Sequence, residues 1–296
     1  MRKHDFGGSW TEEKLERVRR NLVEYTKIFA KNPRAKWFTT YYVDAFAGTG
    51  YRSMAGRNGR QKSLFPEFVK SDAQGLLKGS ARIALEIEPP FKHYLFIEQN
   101  PKYACELGKL KDEFPSKAER VELVHAEAND YLMQWCKRMD WRSSRAVVFL
   151  DPYGMQVDWS LMEAIAATRA IDLWLLFPLG VAVGRLLTKG KEPPPEWAGA
   201  LTKFFGCNDW KTAFYRPAAQ QVLFKKGKSD SNRAVDFGKI GQFFVQRLKT
   251  IFPAVAENPL PLMNSKGNPL YLLCFAAGNP KGAPTALRIA DYILKA

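Results

Sequence analysis

Histidine and cysteine are scarce in this chain, and neither is grouped. Three histidines (His4, His93, His125) and four cysteines (Cys105, Cys136, Cys207, Cys274) are scattered over 296 residues without a Cys-x-x-Cys pair. That spacing speaks against a zinc module or a disulfide frame, and it fits reduced, mostly buried thiols of a cytoplasmic protein. No metal site is expected. No apolar run reaches the roughly 18 residues of a membrane span, and the first residues are polar and charged rather than a signal peptide. Acids are also in deficit, 30 against 45 Lys plus Arg, for a formal charge of +15. A surplus of that size favours a polyanionic partner, nucleic acid above all, although a basic enzyme surface gives the same number.

What is present is organised around Tyr41-Tyr42-Val43-Asp44-Ala45-Phe46-Ala47-Gly48-Thr49-Gly50. An apolar, β-rich run from Trp37 ends in an acid and turns through two glycines, as the first buried strand of an open α/β sheet does at its C-terminal edge. At Gly48 and Gly50 a Cβ would collide with a closely approaching ligand, so glycine is expected there. Two further acids end strand-like runs: Glu98 after His93–Ile97, and Asp151, opening Asp151-Pro152-Tyr153-Gly154, after Ala146–Leu150. Three acids at three strand tips, in this order, read as a cofactor edge of the class I methyltransferase kind, built around S-adenosylmethionine. Asp44, Phe46, Gly48 and Gly50 would hold its methionine end. Glu98 would accept from the ribose hydroxyls, as acids do in dinucleotide folds.

Around these tips the chain alternates. A helix from Thr11, taken as N-cap, to about Asn32 buries Leu15, Val18, Leu22, Tyr25 and Phe29, with Lys14, Arg17, Arg19 and Arg20 on a basic outer face. Residues 51–79 are rich in Gly, Arg and Lys. Arg52, Arg57, Arg60 and Lys62 there are candidate nucleic-acid contacts, and a solvated insertion is the alternative. Helices follow over 81–87 and Tyr103–Phe114, then a third strand at Val121–His125. Asn129 and Asp130, beyond it, are candidates for the adenine, or else N-caps of a helix over Tyr131–Met139. Asp151 and the Pro152 carbonyl offer two acceptors to an exocyclic amine, and Tyr153 offers a ring on which a flipped base could stack. An ordinary Asp-Pro turn gives the same letters. A fifth strand, Ile171–Phe177, precedes a stretch where cations alternate with Trp197, Phe204, Phe205, Trp210, Phe214 and Tyr215. That mixture suits a nucleic-acid groove, but for most of the rings a core position is expected. A strand at Leu270–Ala276 and a helix at Pro284–Leu294 close the chain.

The expected fold is α/β: a Rossmann-like class I methyltransferase sheet with helices on both faces, an N-terminal helix and an inserted helical segment. The divisions fall at 1–36 (helical extension), 37–184 (cofactor-binding core), 185–265 (basic and aromatic insertion) and 266–296 (strand and helix completing the core).

The ordered set Gly8-Ser9-Trp10-Thr11-Glu12-Glu13-Lys14-Leu15, Asp44–Gly50, Phe96-Ile97-Glu98, Glu127-Ala128-Asn129-Asp130, Asp151–Gly154 and Leu270–Ala276 resembles the three-Cys-motif partner proteins over nearly the full length. The resemblance implies a class I methyltransferase fold and a separate protein partner carrying three cysteines. Asp151-Pro152-Tyr153-Gly154 is also similar to the Asp-Pro-Pro-Tyr loop of amino-methyltransferases and the Asp-Pro-Phe-Gly loop of tRNA guanine N2-dimethyltransferases. The single proline before Tyr153 departs from the first and argues against adenine N6, while keeping an exocyclic amine. The leading expectation is methyl transfer to a base amine, with Asp151, Pro152 and Tyr153 catalytic. A cofactor-binding scaffold serving a partner enzyme is a second reading. A nuclease with Asp44, Glu98 and Asp151 as metal ligands is a third.

Overall fold

Long-range pairing sorts these apolar runs into one mixed sheet. The structure, a computed structural model, describes residues 9–48, 79–187, 192–215 and 236–295. Helix α1 (Ser9–Lys31) is followed by β1 (Thr39–Asp44), α2 (Ser80–Glu86), β2 (His93–Ile97), α3 (Pro101–Gly108), α4 (Leu110–Glu113), β3 (Val121–Val124), α5 (Ala128–Arg138), β4 (Ser144–Leu150), α6 (Trp159–Ala167) and β5 (Ile171–Phe177). A π-helical turn (Leu179–Val183) leads into α7 (Gly184–Leu186), and α8 (Pro195–Phe205), α9 (Asp209–Phe214) and α10 (Phe237–Lys249) come next. The chain returns through β6 (Ala254–Val255), β7 (Leu260–Met263) and β8 (Pro269–Ala277) to α11 (Ala283–Lys295).

The strand order is β3-β2-β1-β4-β5-β8-β6, with β7 also paired to β8. Strands β1 to β5 run parallel, and β8 is antiparallel to β5, pairing Leu175 with Cys274. The order reverses between β1 and β4. Beyond the strand ends at such a reversal lies the crevice in which open α/β sheets bind ligands.

The pleat divides the sheet's side chains between two cores. Val43, Val148, Leu150, Leu175 and Cys274 face α5, α6, α8 and α10. Tyr42, Phe96, Phe149, Trp174 and Phe275 face α1, α2 and α11. Burial on both sides is why the strands read as near-continuous apolar runs. The late aromatics are largely core: Phe204, Phe205 and Trp210 are buried, and Phe177 stacks on Phe244 at 4.2 Å.

Several expected boundaries move. Strand β1 starts at Thr39, and Trp37 lies in the preceding turn, more than half exposed. Helix α1 opens at Ser9, so Thr11 is a buried helical residue rather than the cap. The single helix expected over 103–114 is two, α3 and α4, and α5 starts at Ala128. Lys14 is not on an outer face; only 1% of it is exposed. Of the four thiols, Cys136 and Cys274 are buried and Cys105 is exposed. Among the described residues, no helix is long and apolar enough to cross a membrane.

Candidate active site at the strand tips

Register brings the three acids to one edge. Asp44 pairs with Phe96 on β2 and with Phe149 on β4, so Glu98 and Asp151 each lie two residues beyond that level on flanking strands. A two-residue step keeps the same face, here the face covered by α1 and α2.

Asp44 is fully buried. Its Oδ1 accepts from the Phe46 amide at 3.3 Å, and its Oδ2 accepts from the Ser80 hydroxyl at the start of α2. Burial pushes its carboxyl up from 3.8 to about 7; the Asp151 charge pushes the same way, while the Ser80 and Phe46 hydrogen bonds and Lys14 pull it down. Nearby, the Tyr42 hydroxyl is buried, without a hydrogen-bond partner of good geometry among the described residues. Burial, with the charges of Asp44 and Asp151, holds that phenol well above its ordinary range. Phe46 itself is partly buried against the α5/α6 core.

Glu98 braces the turn after β1. Its Oε2 accepts from the Gly48 amide at 2.9 Å and its Oε1 from the Asn100 amide at 2.7 Å. Each oxygen keeps a second lone pair. Gly48 has φ +60°, and a Cβ there would meet nothing within 4 Å among the described residues. The left-handed backbone by itself favours glycine at this position. Gly50, Arg52, Arg57, Arg60 and Lys62 lie outside the described residues.

Asn129 is tied into the fold by three hydrogen bonds. Its Nδ2 donates to Glu127 Oε1 and to the Gln156 carbonyl, each at 2.8 Å, and its Oδ1 accepts from the Asp158 amide at 2.9 Å. With both amide protons used, Asn129 ties α5 to the loop after β4. The N-cap is Glu127, whose Oε2 accepts from the Asp130 amide at 2.8 Å. Of the two adenine candidates, Asp130 is the one with an exposed side chain.

After β4, Pro152 is buried while Tyr153 is 60% exposed. The turn is shaped by Gln156, whose Oε1 accepts from the Tyr153 amide at 2.8 Å, and by Gly154 at φ +77°. Asp151 forms an ion pair with Lys14, reached from α1 across 137 residues. The Lys14 ammonium lies 5.4 Å from the Trp10 ring centroid and 6.0 Å from that of Phe149. An ammonium on Asp151 takes a place that a metal ion would need, which weighs against the nuclease reading. Among the described residues, no three His, Cys, Asp or Glu side chains are grouped to hold a metal.

Sequence reasoning missed Lys14, Ser80, Glu127 and Gln156. For Lys14 the signal was there: it lies four residues before Val18 and eight before Leu22, on the apolar stripe of α1. A charge on such a stripe calls for a partner. A surface groove of about 450 Å³ between α1 and α11, lined by Arg19, Arg20, Arg288 and Tyr292, shares no residue with the strand tips.

No family model and no curated protein matches the chain, so membership of the three-Cys-motif partner proteins is not confirmed. Solved structures of low identity are similar. A Legionella pneumophila protein of the DUF519 family is 13% identical, covering 98% of this chain and 92% of that one, with a TM-score of 0.49. Trm1 from Pyrococcus horikoshii, in complex with S-adenosyl-L-methionine, is 12% identical over 92% of this chain and 57% of its own, with a TM-score of 0.38. A bacterial Hen1 methyltransferase domain is 10% identical, covering 88% and 99%, with a TM-score of 0.34. At these scores and identities nothing of their chemistry transfers. The fold, a Rossmann-like sheet of the methyltransferase kind with helices on both faces, stands on this chain's own strand order and register.

Proposed function

We propose that this protein is an S-adenosylmethionine-dependent methyltransferase acting on an exocyclic amine of a nucleic-acid base. The observation that supports it is the row Glu98, Asp44, Asp151 at the C-terminal tips of adjacent parallel strands β2, β1 and β4, astride the reversal in strand order.

The residues present fit the cofactor. Gly48 gives a left-handed turn with no described residue crowding it, Glu98 keeps acceptor capacity for the ribose hydroxyls, and the Asp130 carboxylate is open to an adenine amine. Asp44, Phe46, Gly48 and Gly50 are assigned to the methionine end, Asp44 acting through the Phe46 amide it holds. When bound, S-adenosylmethionine supplies an electrophilic methyl group. The chain's part is to present the nucleophile. Asp151 and the Pro152 carbonyl accept from the two N–H bonds of the target amine, which draws its lone pair out of ring conjugation. The exposed Tyr153 ring gives the base a face to stack on. Asp151 is also the base that can take the surplus proton from the methylated nitrogen. No covalent nucleophile is required. Arg52, Arg57, Arg60 and Lys62 are assigned to phosphates, in which case nucleic-acid binding weakens steeply with salt.

The test has two parts: calorimetric titration with S-adenosylhomocysteine, and tritiated methyl transfer to total DNA and RNA followed by nucleoside analysis. Saturable binding and label on a base nitrogen support the proposal. Absence of binding at millimolar ligand, or label on a ring carbon or hydroxyl, would overturn it.

A further inference from the structure

Helix α1 supplies a group that the chemistry above leaves unused. It is anchored across one face of the sheet: Trp10 stacks on Tyr271 with ring centroids 5.1 Å apart, and Asn21 Oδ1 accepts from Trp174 Nε1 at 2.9 Å. Between these anchors Lys14 is 1% exposed, its ammonium near the Trp10 and Phe149 rings and on Asp151 Oδ2. The pair is asymmetric. The Lys14 side chain is 1% exposed and that of Asp151 21%, so the carboxylate is held from the buried side and opens on the other. A pair serving the core alone would have no reason to open at the tip of β4. Among the described residues, Asp44 and Tyr42 on β1 and Ser80 on α2 are further polar groups of this cluster, and the Lys14 charge acts on Asp44 as well as on Asp151. Without Lys14, Asp44 and Asp151 would face each other as like charges, and the Asp151 rotamer would have no tether.

We propose that Lys14 is a positioning residue for Asp151: it fixes Oδ2 from beneath and leaves Oδ1 as the acceptor presented to the substrate amine. The role rests on the methyltransferase reading of the site. It makes α1 a working part of that site rather than an appendage. It also limits Asp151 to one free oxygen, so the second acceptor of the amine is the Pro152 carbonyl.

Two measurements test it. In the apo protein, urea midpoints of Lys14→Met, Asp151→Asn and the double variant should be non-additive, with the double no less stable than the weaker single. Additive midpoints would overturn the pairing. In methyl transfer, Lys14→Met should lower kcat roughly tenfold or more, with the nucleic-acid KM and S-adenosylhomocysteine Kd within about threefold of wild type. In an Asp151→Asn background the same change should do nothing further. Lys14→Ala should regain activity with propylammonium and not with propanol. Unchanged kcat in folded Lys14→Met, a loss confined to cofactor Kd, or an additive loss in the Asp151→Asn background would each overturn the role. Should Lys14→Met not fold, Lys14→Arg, which keeps the charge but moves it, must still lower kcat at constant KM. Wild-type protein that shows the stability coupling but transfers no methyl would instead overturn the proposed function.

Discussion

The Glu98 carboxylate holds the backbone amide of Gly48 at 2.9 Å, so the residue assigned to the ribose also fixes the turn assigned to the methionine end. One side chain thus couples the loops after β1 and β2. Its second oxygen, on Asn100, steadies the start of α3.

Removing Glu98 should therefore cost binding twice, through a lost acceptor and a loosened turn. Glu98→Ala is expected to weaken S-adenosylhomocysteine binding by about 1.5–3 kcal/mol, the worth of hydrogen bonds to a charged group. Calorimetry on wild type and variant reads it. Equal affinity would remove Glu98 from the cofactor site.

Two left-handed glycines should respond differently to alanine. At Gly48 a Cβ meets nothing among the described residues, so Gly48→Ala is expected to carry the conformational term, about 1–2 kcal/mol. At Gly206, which ends α8 at φ +66°, a Cβ would overlap the Trp159 ring at Cδ1 and Cγ. Gly206→Ala adds that overlap and should lower the thermal midpoint clearly further. Comparable midpoints for the two variants would contradict the steric difference.

Asn129→Ala removes an amide that holds Glu127, Gln156 and Asp158 at once. Leaving the Gln156 carbonyl and Asp158 amide without it should cost about 2–3 kcal/mol in urea unfolding. The loop carrying Asp151 to Tyr153 should loosen with it, read as faster amide exchange at Tyr153. Unchanged exchange would separate this bridge from the catalytic loop.

Asp44 gives stability a pH dependence of definite sign. Its carboxyl is raised from 3.8 to about 7, so folding takes up a proton between those values. The favourable contribution is complete below about pH 4 and is lost as pH rises through about 7, at about 1.4 kcal/mol for each pH unit crossed. Asp44→Asn keeps an acceptor for the Phe46 amide and carries no charge. Its urea midpoint should exceed that of wild type at pH 8.5, and the two should converge only as pH falls to about 4. Parallel curves for the two proteins would contradict the assignment.

Asp151→Asn keeps the shape and one acceptor while losing the charge. Methyl transfer should fall about 10²-fold with cofactor affinity within a few-fold, because a group touching only the reacting amine acts on the transition state. Asp151→Ala should abolish transfer. Activity equal to wild type would take the loop out of the chemistry.

The parallel strands were legible because runs such as Ala146–Leu150 are buried on both faces and bounded by turns. Strands β6 and β7 were not, since two and four residues beside a proline carry too little pattern, and their pairing with β8 exists only in the assembled sheet. The acids at the strand tips were legible from the turns that follow them. The commitment of Asn129 was not, because Gln156 and Asp158 lie 27 and 29 residues away.

Local sequence was enough to set the alternation of strands and helices, the glycine at the left-handed turn of Gly48 and the charged residue on the apolar stripe of α1. Short-range sterics and the periods of helix and strand fix all three. That Asp44, Glu98 and Asp151 share one face of one edge, and that Lys14 meets Asp151 across 137 residues, follows from the folded chain alone. Those facts depend on sheet order and register, which long-range packing selects and no local pattern encodes.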